Sequence, residues 1–425
     1  DMISSHFLNR VIDQLASPVL TMGAYSPCTR FMAKYPYLFS FDDRLFFFKI
    51  LISEMSDVIN LYSLRYQKVH LDLMQESYFH MKVSRDNLFE EGNRILRRFG
   101  KYKVFLEFSF KGEIGHGTGP NNEFFNLMCN EFMAVKNGLW RTDNIDNKLC
   151  QSKNGLFPVC TASEDLFRSL GTFVAKALQM SIVINLPINP AFFDMVFGQA
   201  VSIEKVEDIY SKSFENSEGL FGLNFVYPVC GGEPIEMIPG GSEIEVDESN
   251  VNEYISLMKE FTCGSKIQPK IDAFINGFNE IFEIDFLRVF SSDEMSRVIS
   301  GDDIVLTEDS LRKYVVIGPG FSLNSKPIQF LFDILVEFDY NQKSCFLQFC
   351  TGSSKLPTGG LKAIHPPLTI AKRIPENKNE NQDDSLPSVL TCTHYFKLPA
   401  YSSKEIMRSK LLTAIMEGRE SFQQS

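Results

Sequence analysis

The sequence predicts an α+β protein, mainly helical and divided into two or three domains. Three observations predict this. At 425 residues the chain exceeds what one ordinary core organises. Its composition, 44% hydrophobic and 22% charged, is that of a folded globular protein. Apolar residues recur at helical spacing along most of its length, and strand-like alternation is confined to short stretches. The 39 phenylalanines mean that aromatic packing dominates the cores.

The elements follow in order. Residues 1–60 read as helical, and Pro36 to Arg44 forms a turn that leads into an apolar helix with Ser40 or Asp42 as its cap. Val83 to Phe99 is a helix with Leu88, Ile95, Leu96 and Phe99 on one stripe. Lys103 to Phe110 alternates as a strand. Gly112 to Pro120 is a glycine-rich turn, and Pro120 opens the next helix. This turn is not a phosphate loop, because it has no Gly-Lys-Ser/Thr and no Gly-x-Gly-x-x-Gly spacing. Thr161 and Glu164 form a capping box for a core helix that runs to about Met180. Residues 200–300 mix short helices with turns, and Asn252 to Phe261 is amphipathic with Tyr254, Leu257, Met258 and Phe261 on one side. Ile317-Gly318-Pro319-Gly320 is the expected domain boundary, since it ends any helix and leaves rotation available at both glycines. Gln329 to Phe338 is helical, and Cys345 to Phe349 is a short apolar strand closed by Thr351-Gly352. Residues 375–385 form a polar loop. The last helix starts at a Ser402–Glu405 capping box and buries Met407, Leu411, Ala414 and Ile415.

The net charge of −11 opposes binding to nucleic acid or to an anionic membrane surface, because phosphate recognition needs clustered Lys and Arg. The longest apolar stretch, Leu45 to Ser53, is interrupted by Lys49 and too short to span a bilayer, and no signal peptide is visible. Nine cysteines without a C-x-x-C pair fit neither a disulfide framework nor a zinc site, so no metal or other cofactor is expected. They fit a reducing cytoplasmic or nuclear compartment, with most thiols buried. The chain begins at Asp1 and reads as a fragment of a longer protein.

One cysteine stands apart. Cys392 lies in a turn between Pro387 and Pro399, ahead of the last helix and a polar tail that carries a single aromatic, Phe422. A thiol held at such a turn, near a terminus able to fold back over it, reads as a nucleophile rather than core filler.

These pieces, in this order, resemble the HECT family of ubiquitin-protein ligases over about residues 61–425. The likeness rests on Gly117-x-Gly119-Pro120-x-x-Glu123-Phe124, on Phe167 through Leu178, and on Leu347-Gln348-Phe349-x-Thr351-Gly352. It rests also on Leu386-Pro387 with Thr391-Cys392, on Leu398-Pro399-x-Tyr401-Ser402, and on the tail Phe422. The versions present look most like the ubiquitin-fusion-degradation subclass, whose similarity extends to Tyr35–Arg44.

The resemblance implies a bilobal architecture. A mainly helical N-lobe would occupy 61–316 after a helical extension at 1–60. It would carry a sub-lobe at about 205–300 that binds the ubiquitin-conjugating enzyme (E2), a hinge at 317–321 through Gly318, Pro319 and Gly320, and an α/β C-lobe at 322–425. Cys392 maps to the catalytic cysteine, with Thr391 and His394 beside it. The aromatic of the Asn-x-x-Glu-aromatic docking helix maps to Tyr254, with Met258 one turn on, and Phe221 with Leu223 would form the other wall of the groove. Phe422 maps to the tail aromatic, fourth from the end, which implies that Ser425 is the native C-terminus. The partners implied are a ubiquitin-conjugating enzyme, ubiquitin and substrate lysines. The chain departs from the common family pattern at Leu390, where many members carry His, and at His394, where many carry Asn. If residues 392–396 are extended, His394 shares a face with Cys392 and would stabilise its thiolate or take over the hydrogen bonds of that Asn; otherwise it is a partly exposed histidine without a catalytic part. Tyr254 and Met258 read either as a docking face or as an internal helix face. Phe422 reads either as a ring placed against the N-lobe or as packing at the helix end.

Two other readings use the same residues. A cysteine deubiquitinase needs a His and an orienting Asn or Asp, and none of the six histidines stands in a protease motif. A non-catalytic scaffold would bind conjugating enzyme and ubiquitin without a thioester, but Thr391, Cys392, the expected hinge and Phe422 are all in place.

Overall fold

The structure, a computed structural model, describes residues 32, 34–52, 78–100, 102, 105–113, 117–142, 144–206, 222–229, 233–374 and 381–424. These residues build three separate apolar cores.

The large core begins with α1 (Phe41–Ile52), followed by β1 (Tyr78–Val83), α2 (Leu88–Phe99) and β2 (Phe105–Phe110). The two strands pair in parallel, Tyr78 opposite Phe105 through Val83 opposite Phe110, with α2 as the crossover. The glycine-rich turn then delivers the chain into α3 (Thr118–Met133). Phe108 of β2 stacks on Phe124 of α3 with ring centroids 3.6 Å apart. Next come α4 (Glu164–Gln179) and α5 (Pro190–Val196). The cap of α4 is Ser163, whose Oγ accepts from the Leu166 amide, two residues later than the expected Thr161 box.

The small core is a two-stranded ribbon of β3 (Val226–Tyr227) and β4 (Ile235–Glu236), covered by α6 (Val251–Cys263). It consists of Phe225, Tyr227, Met237, Val246, Tyr254, Met258 and Phe261. The helices that follow, α7 (Gln268–Phe278) and α8 (Ser292–Ser300), return to the large core. The sub-lobe expected at 205–300 is therefore narrower, 222–263 among the described residues. The amphipathic pattern of residues 268–300 serves the large core instead.

The third core contains α9 (Glu308–Tyr314), β5 (Val316–Ile317), α10 (Lys326–Glu337), α11 (Tyr340–Thr351), β6 (Thr369–Lys372), β7 (Ser388–Leu390), β8 (Tyr395–Leu398) and α12 (Lys404–Gln424). The sheet order is β5-β6-β8-β7, parallel except for the antiparallel β7–β8 pair. The helices bury Leu331, Leu335, Phe346, Met407 and Leu411 against Ile370 and Phe396.

Two expectations are corrected here. The hinge does not lie at Gly318–Gly320. The Gly318 amide donates to Ile370 O at 2.7 Å and the Lys372 amide to Pro319 O at 3.0 Å, so this segment is pinned along β6 inside the third core. The chain crosses between cores at Gly301–Asp303, after α8 and before Ile304, the first residue of the third core. The second correction concerns Cys345–Phe349, which belongs to α11 and not to a strand. The Asp339–Gln342 capping box starts that helix, and Gly352 ends it in the left-handed region. A short apolar run cannot by itself separate strand from buried helix.

The described part of the N-terminal segment does not stand apart from the large core. Met32, Phe39, Leu45, Phe47, Phe48 and Ile52 belong to it. Arg44 of α1 donates to both carboxylate oxygens of Glu294 at 2.6 Å and to Val289 O at 2.8 Å. Glu294 also caps α8, and its pKa is held below the usual carboxylate value, first by the Arg44 hydrogen bonds. A carboxyl depressed in the folded state stabilises above its unfolded pKa, and that contribution is lost as pH falls through the folded value. Removing Arg44 leaves a part-buried carboxylate unpaired, so Arg44→Met is expected to lower stability by about 3 kcal/mol at pH 7. Urea unfolding at pH 7 and at pH 3 checks this, and the gap between variant and parent should shrink at the lower pH.

Candidate active site

The expected nucleophile lies at the tip of a hairpin. Leu390 of β7 is opposite Tyr395 of β8, and residues 391–394 make the connection: a single 3-10 turn, Thr391–Thr393, then His394 in the left-handed region at φ 48°. A tight turn closed by a left-handed residue is a standard way to join two antiparallel strands. Pairing with β6 on one side and packing of α11 behind hold the tip in place. Cys392 is the middle residue of the turn. Leu390 beside it is 48% exposed.

His394 does not share an extended face with Cys392, because the strand starts only at Tyr395. Its ring is 6% exposed, and Nδ1 lies 2.6 Å from Pro366 O. A carbonyl only accepts, so Nδ1 is the donor. The left-handed backbone and this bond make His394 a buttress of the turn. Replacing it with alanine loses this hydrogen bond and puts a less tolerant residue in the left-handed region. His394→Ala is expected to cost about 1–3 kcal/mol in a denaturant melt of the C-terminal core.

The acidic residues near the thiol in sequence are engaged elsewhere. Asp383 accepts from the Ser402 amide at 2.8 Å and from Ser402 Oγ at 2.7 Å, and these bonds lower its pKa. They tie the polar loop to the start of α12, so Ser402 serves the loop while Ser403 Oγ accepts from the Ile406 amide as the helix cap. The helix continues through Phe422 to Gln424, without the separate tail expected from the sequence; the Phe422 side chain lies outside the described residues.

The hairpin tip rests on the large core. A Cβ built on Gly119 would lie 3.0 Å from Thr391 Oγ1. Farther along α3, Asn122 Nδ2 donates to Thr351 O at 3.0 Å and Asn126 Nδ2 to Gly352 O at 2.5 Å. The glycine-rich turn, the Thr351-Gly352 pair and the Thr391-Cys392 pair, far apart in sequence, thus meet in one place.

Five other thiols among the described residues fit nucleophilic work poorly. Burial pushes the Cys129 and Cys350 thiols well above the ordinary value. Among the described residues, Cys150, Cys263 and Cys345 are buried as well.

The docking residues are placed differently from the sequence expectation. Tyr254 is 4% exposed and Met258 1% exposed, both inside the small core, where Tyr254 packs edge-on against Phe225 at 5.6 Å. They form an internal face of α6, because the ribbon of β3 and β4 needs an apolar cover. Leu223 is half-buried against the same core, and Phe221 lies outside the described residues. Arg141 of the large core donates to the Tyr227 hydroxyl and connects the two.

Among the described residues, no group of three or more His, Cys, Asp or Glu is placed to hold a metal ion, and no helix is long and apolar enough to cross a membrane.

A glycine-rich helix start, a Thr-Gly helix end and a cysteine-bearing hairpin are thus brought together where two cores meet. The family model of the HECT domain (ubiquitin-transferase) matches residues 126–425, and the chain belongs to that family. It is 33% identical over 386 residues to the E3 ubiquitin-protein ligase UPL4 of Arabidopsis thaliana, an alignment covering 80% of this chain and 25% of that protein. It is 28% identical over 467 residues to ubiquitin fusion degradation protein 4 of Saccharomyces cerevisiae, covering 99% of this chain and 31% of that protein. With the E3 ubiquitin-protein ligase TRIP12 of Danio rerio, the identity is 28% over 495 residues, covering 99% of this chain and 24% of that protein. The chain spans about a quarter to a third of the length of these relatives.

Proposed function

We propose that this chain is the catalytic part of a ubiquitin-protein ligase: Cys392 accepts ubiquitin from a conjugating-enzyme thioester and passes it to a substrate lysine. The observation that carries this reading is the placement of Cys392 at the tip of the β7–β8 hairpin, beside the exposed Leu390. The family match and the ligase names of its relatives support it.

The first step is an exchange. The Cys392 thiolate attacks the thioester carbonyl carbon, a new C–S bond forms, and the old one breaks to release the conjugating enzyme's thiolate. Bonds of one kind are exchanged, so the step needs little driving force beyond thiolate and placement. An ordinary thiol pKa of about 8.5 gives a few per cent thiolate at neutral pH, so a dedicated base is not required. In the second step a neutral lysine amine attacks the same carbon, the C–N bond forms, the C–S bond breaks, and the amine gives up a proton. Lysine has a reference pKa of about 10.4, so this proton is the harder one to lose. Asp383 is a poor candidate to take it, since Ser402 occupies its carboxylate.

Within the same reading the small lobe receives the conjugating enzyme. Tyr254 and Met258 stiffen the wall from inside, and Leu223 lies nearer its surface. Transfer of labelled ubiquitin from a conjugating enzyme to this chain, with and without Cys392, tests the reading. Binding without any adduct would favour a scaffold instead.

A further inference from the structure

The face of α3 that meets the C-terminal core carries a polar stripe. Gly119, Asn122, Asn126 and Asn130 recur at spacings of three, four and four, one stripe of a helix. Across from them α11 presents Asn341, Ser344 and Gln348, and a cleft of about 270 Å³ lies between the two helices. Leu127, Met133, Leu149 and Cys345 also line the cleft, so the contact mixes apolar groups with amides and hydroxyls, as contacts between parts that separate and rejoin do. The two asparagine amides reach the carbonyls of Thr351 and Gly352, at the end of α11, where a helix runs out of internal partners. The same stripe carries Gly119, against which Thr391 of the hairpin tip rests.

We propose that Asn122 and Asn126 are positioning residues: they seat the C-terminal lobe on α3 and so hold the Cys392 turn in place for the lysine-transfer half of the reaction. This rests on the function proposed above. The assignment to that half follows from where the turn lies. It is seated on the large core, whereas the conjugating enzyme is assigned to the small one, so loading requires the lobe to leave α3. Gly119 keeps the seat closed, since a larger side chain there would lift Thr391. The amides act through hydrogen bonds to main-chain carbonyls and touch no reacting atom.

The test is the double variant Asn122→Asp with Asn126→Asp, in the full chain. Aspartate keeps the shape and cannot donate. Two readings are taken. Dyes placed through non-natural residues at the exposed Lys136 and Ser409 report the distance between lobes by single-molecule energy transfer. The ratio of seated to unseated molecules should fall about tenfold, as for two neutral hydrogen bonds lost. In a charge-and-chase experiment, loading of ubiquitin onto the chain should be unchanged or faster, and discharge to a lysine acceptor about tenfold slower. Gly119→Val, which keeps both amides, should split the two steps in the same direction. An unaltered distance distribution, or loading and discharge that fall together, would overturn the proposal. A shifted distribution in a chain whose parent forms no adduct at all would uphold the seat and overturn its role in transfer.

Discussion

Cys392→Ser is expected to trap ubiquitin as an ester. The serine hydroxyl in the same turn meets the same carbonyl carbon, but it is almost wholly un-ionised at neutral pH and forms an oxygen ester. Loading should slow on the order of 100-fold or more, since the thiolate is the competent nucleophile. The adduct that does form should survive dithiothreitol and yield to mild hydroxide, whereas dithiothreitol removes the adduct of the parent chain. Cys392→Ala should give neither. A denaturing gel with and without reductant, followed by peptide mapping, checks all three. A reductant-sensitive adduct persisting in Cys392→Ser would place the nucleophile elsewhere. Cys129 and Cys350 are the poorest alternatives, because burial raises both thiols well above the range in which a useful thiolate fraction exists.

The second large effect is structural and lies in the large core, on which the Cys392 hairpin rests. Gly277 of α7 and Gly171 of α4 let two helix backbones touch. A Cβ on Gly277 would fall 1.8 Å from Arg168 O, and one on Gly171 would fall 2.1 Å from Phe274 O. Thr172 Oγ1 bridges the contact, donating to Gly277 O at 3.0 Å. The obstacle in each case is main chain, which cannot rotate aside as a side chain can. A glycine inside a helix ordinarily costs about 1 kcal/mol against alanine, so exchanging it would be expected to stabilise if the neighbours allowed. Here the overlap reverses the sign. Gly277→Ala is expected to cost about 3 kcal/mol, the upper end of ordinary overpacking. In a calorimetric melt this corresponds to a Tm lower by roughly 6–12 °C. A melting temperature unchanged or raised would mean that α4 and α7 are not in backbone contact.

Much of the architecture was legible because each element carries its own signal. The strand at Phe105–Phe110, the glycine-rich entry to α3, the core helix after residue 163 and the final helix all follow from alternation, helical spacing and caps. Cys392 was legible as a residue in a turn because prolines bracket it. What failed to show depended on partners distant in sequence. Gly318-Pro319-Gly320 has the composition of a hinge, yet its amide and carbonyl groups are bonded to β6, which follows some fifty residues later. Gly301-Asp302-Asp303, the actual crossing, looks like an ordinary helix stop. Tyr254 and Met258 lie on one side of an amphipathic helix, and periodicity identifies that side without saying whether it faces a partner or the protein's own interior. For His394 the difference was its own left-handed backbone, which brings its ring to the Pro366 carbonyl. The Asp339–Gln342 box is present in the sequence and marks the start of α11, a stronger signal than the apolar run that follows it. The seat of the C-terminal lobe on α3 was also written in part, as amides at helical spacing, but only the fold shows what they meet.

The central claim is that ubiquitin passes through a thioester on Cys392. The most direct test is a single-turnover chase. A conjugating enzyme is loaded with labelled ubiquitin, this chain is added, and after the donor is quenched a lysine acceptor follows. A labelled adduct is expected on the chain, one that dithiothreitol removes, that Cys392→Ala abolishes, and that decays as the isopeptide product appears. Isopeptide product formed at the parent's rate by the Cys392→Ala chain, with no adduct at any time, would contradict it.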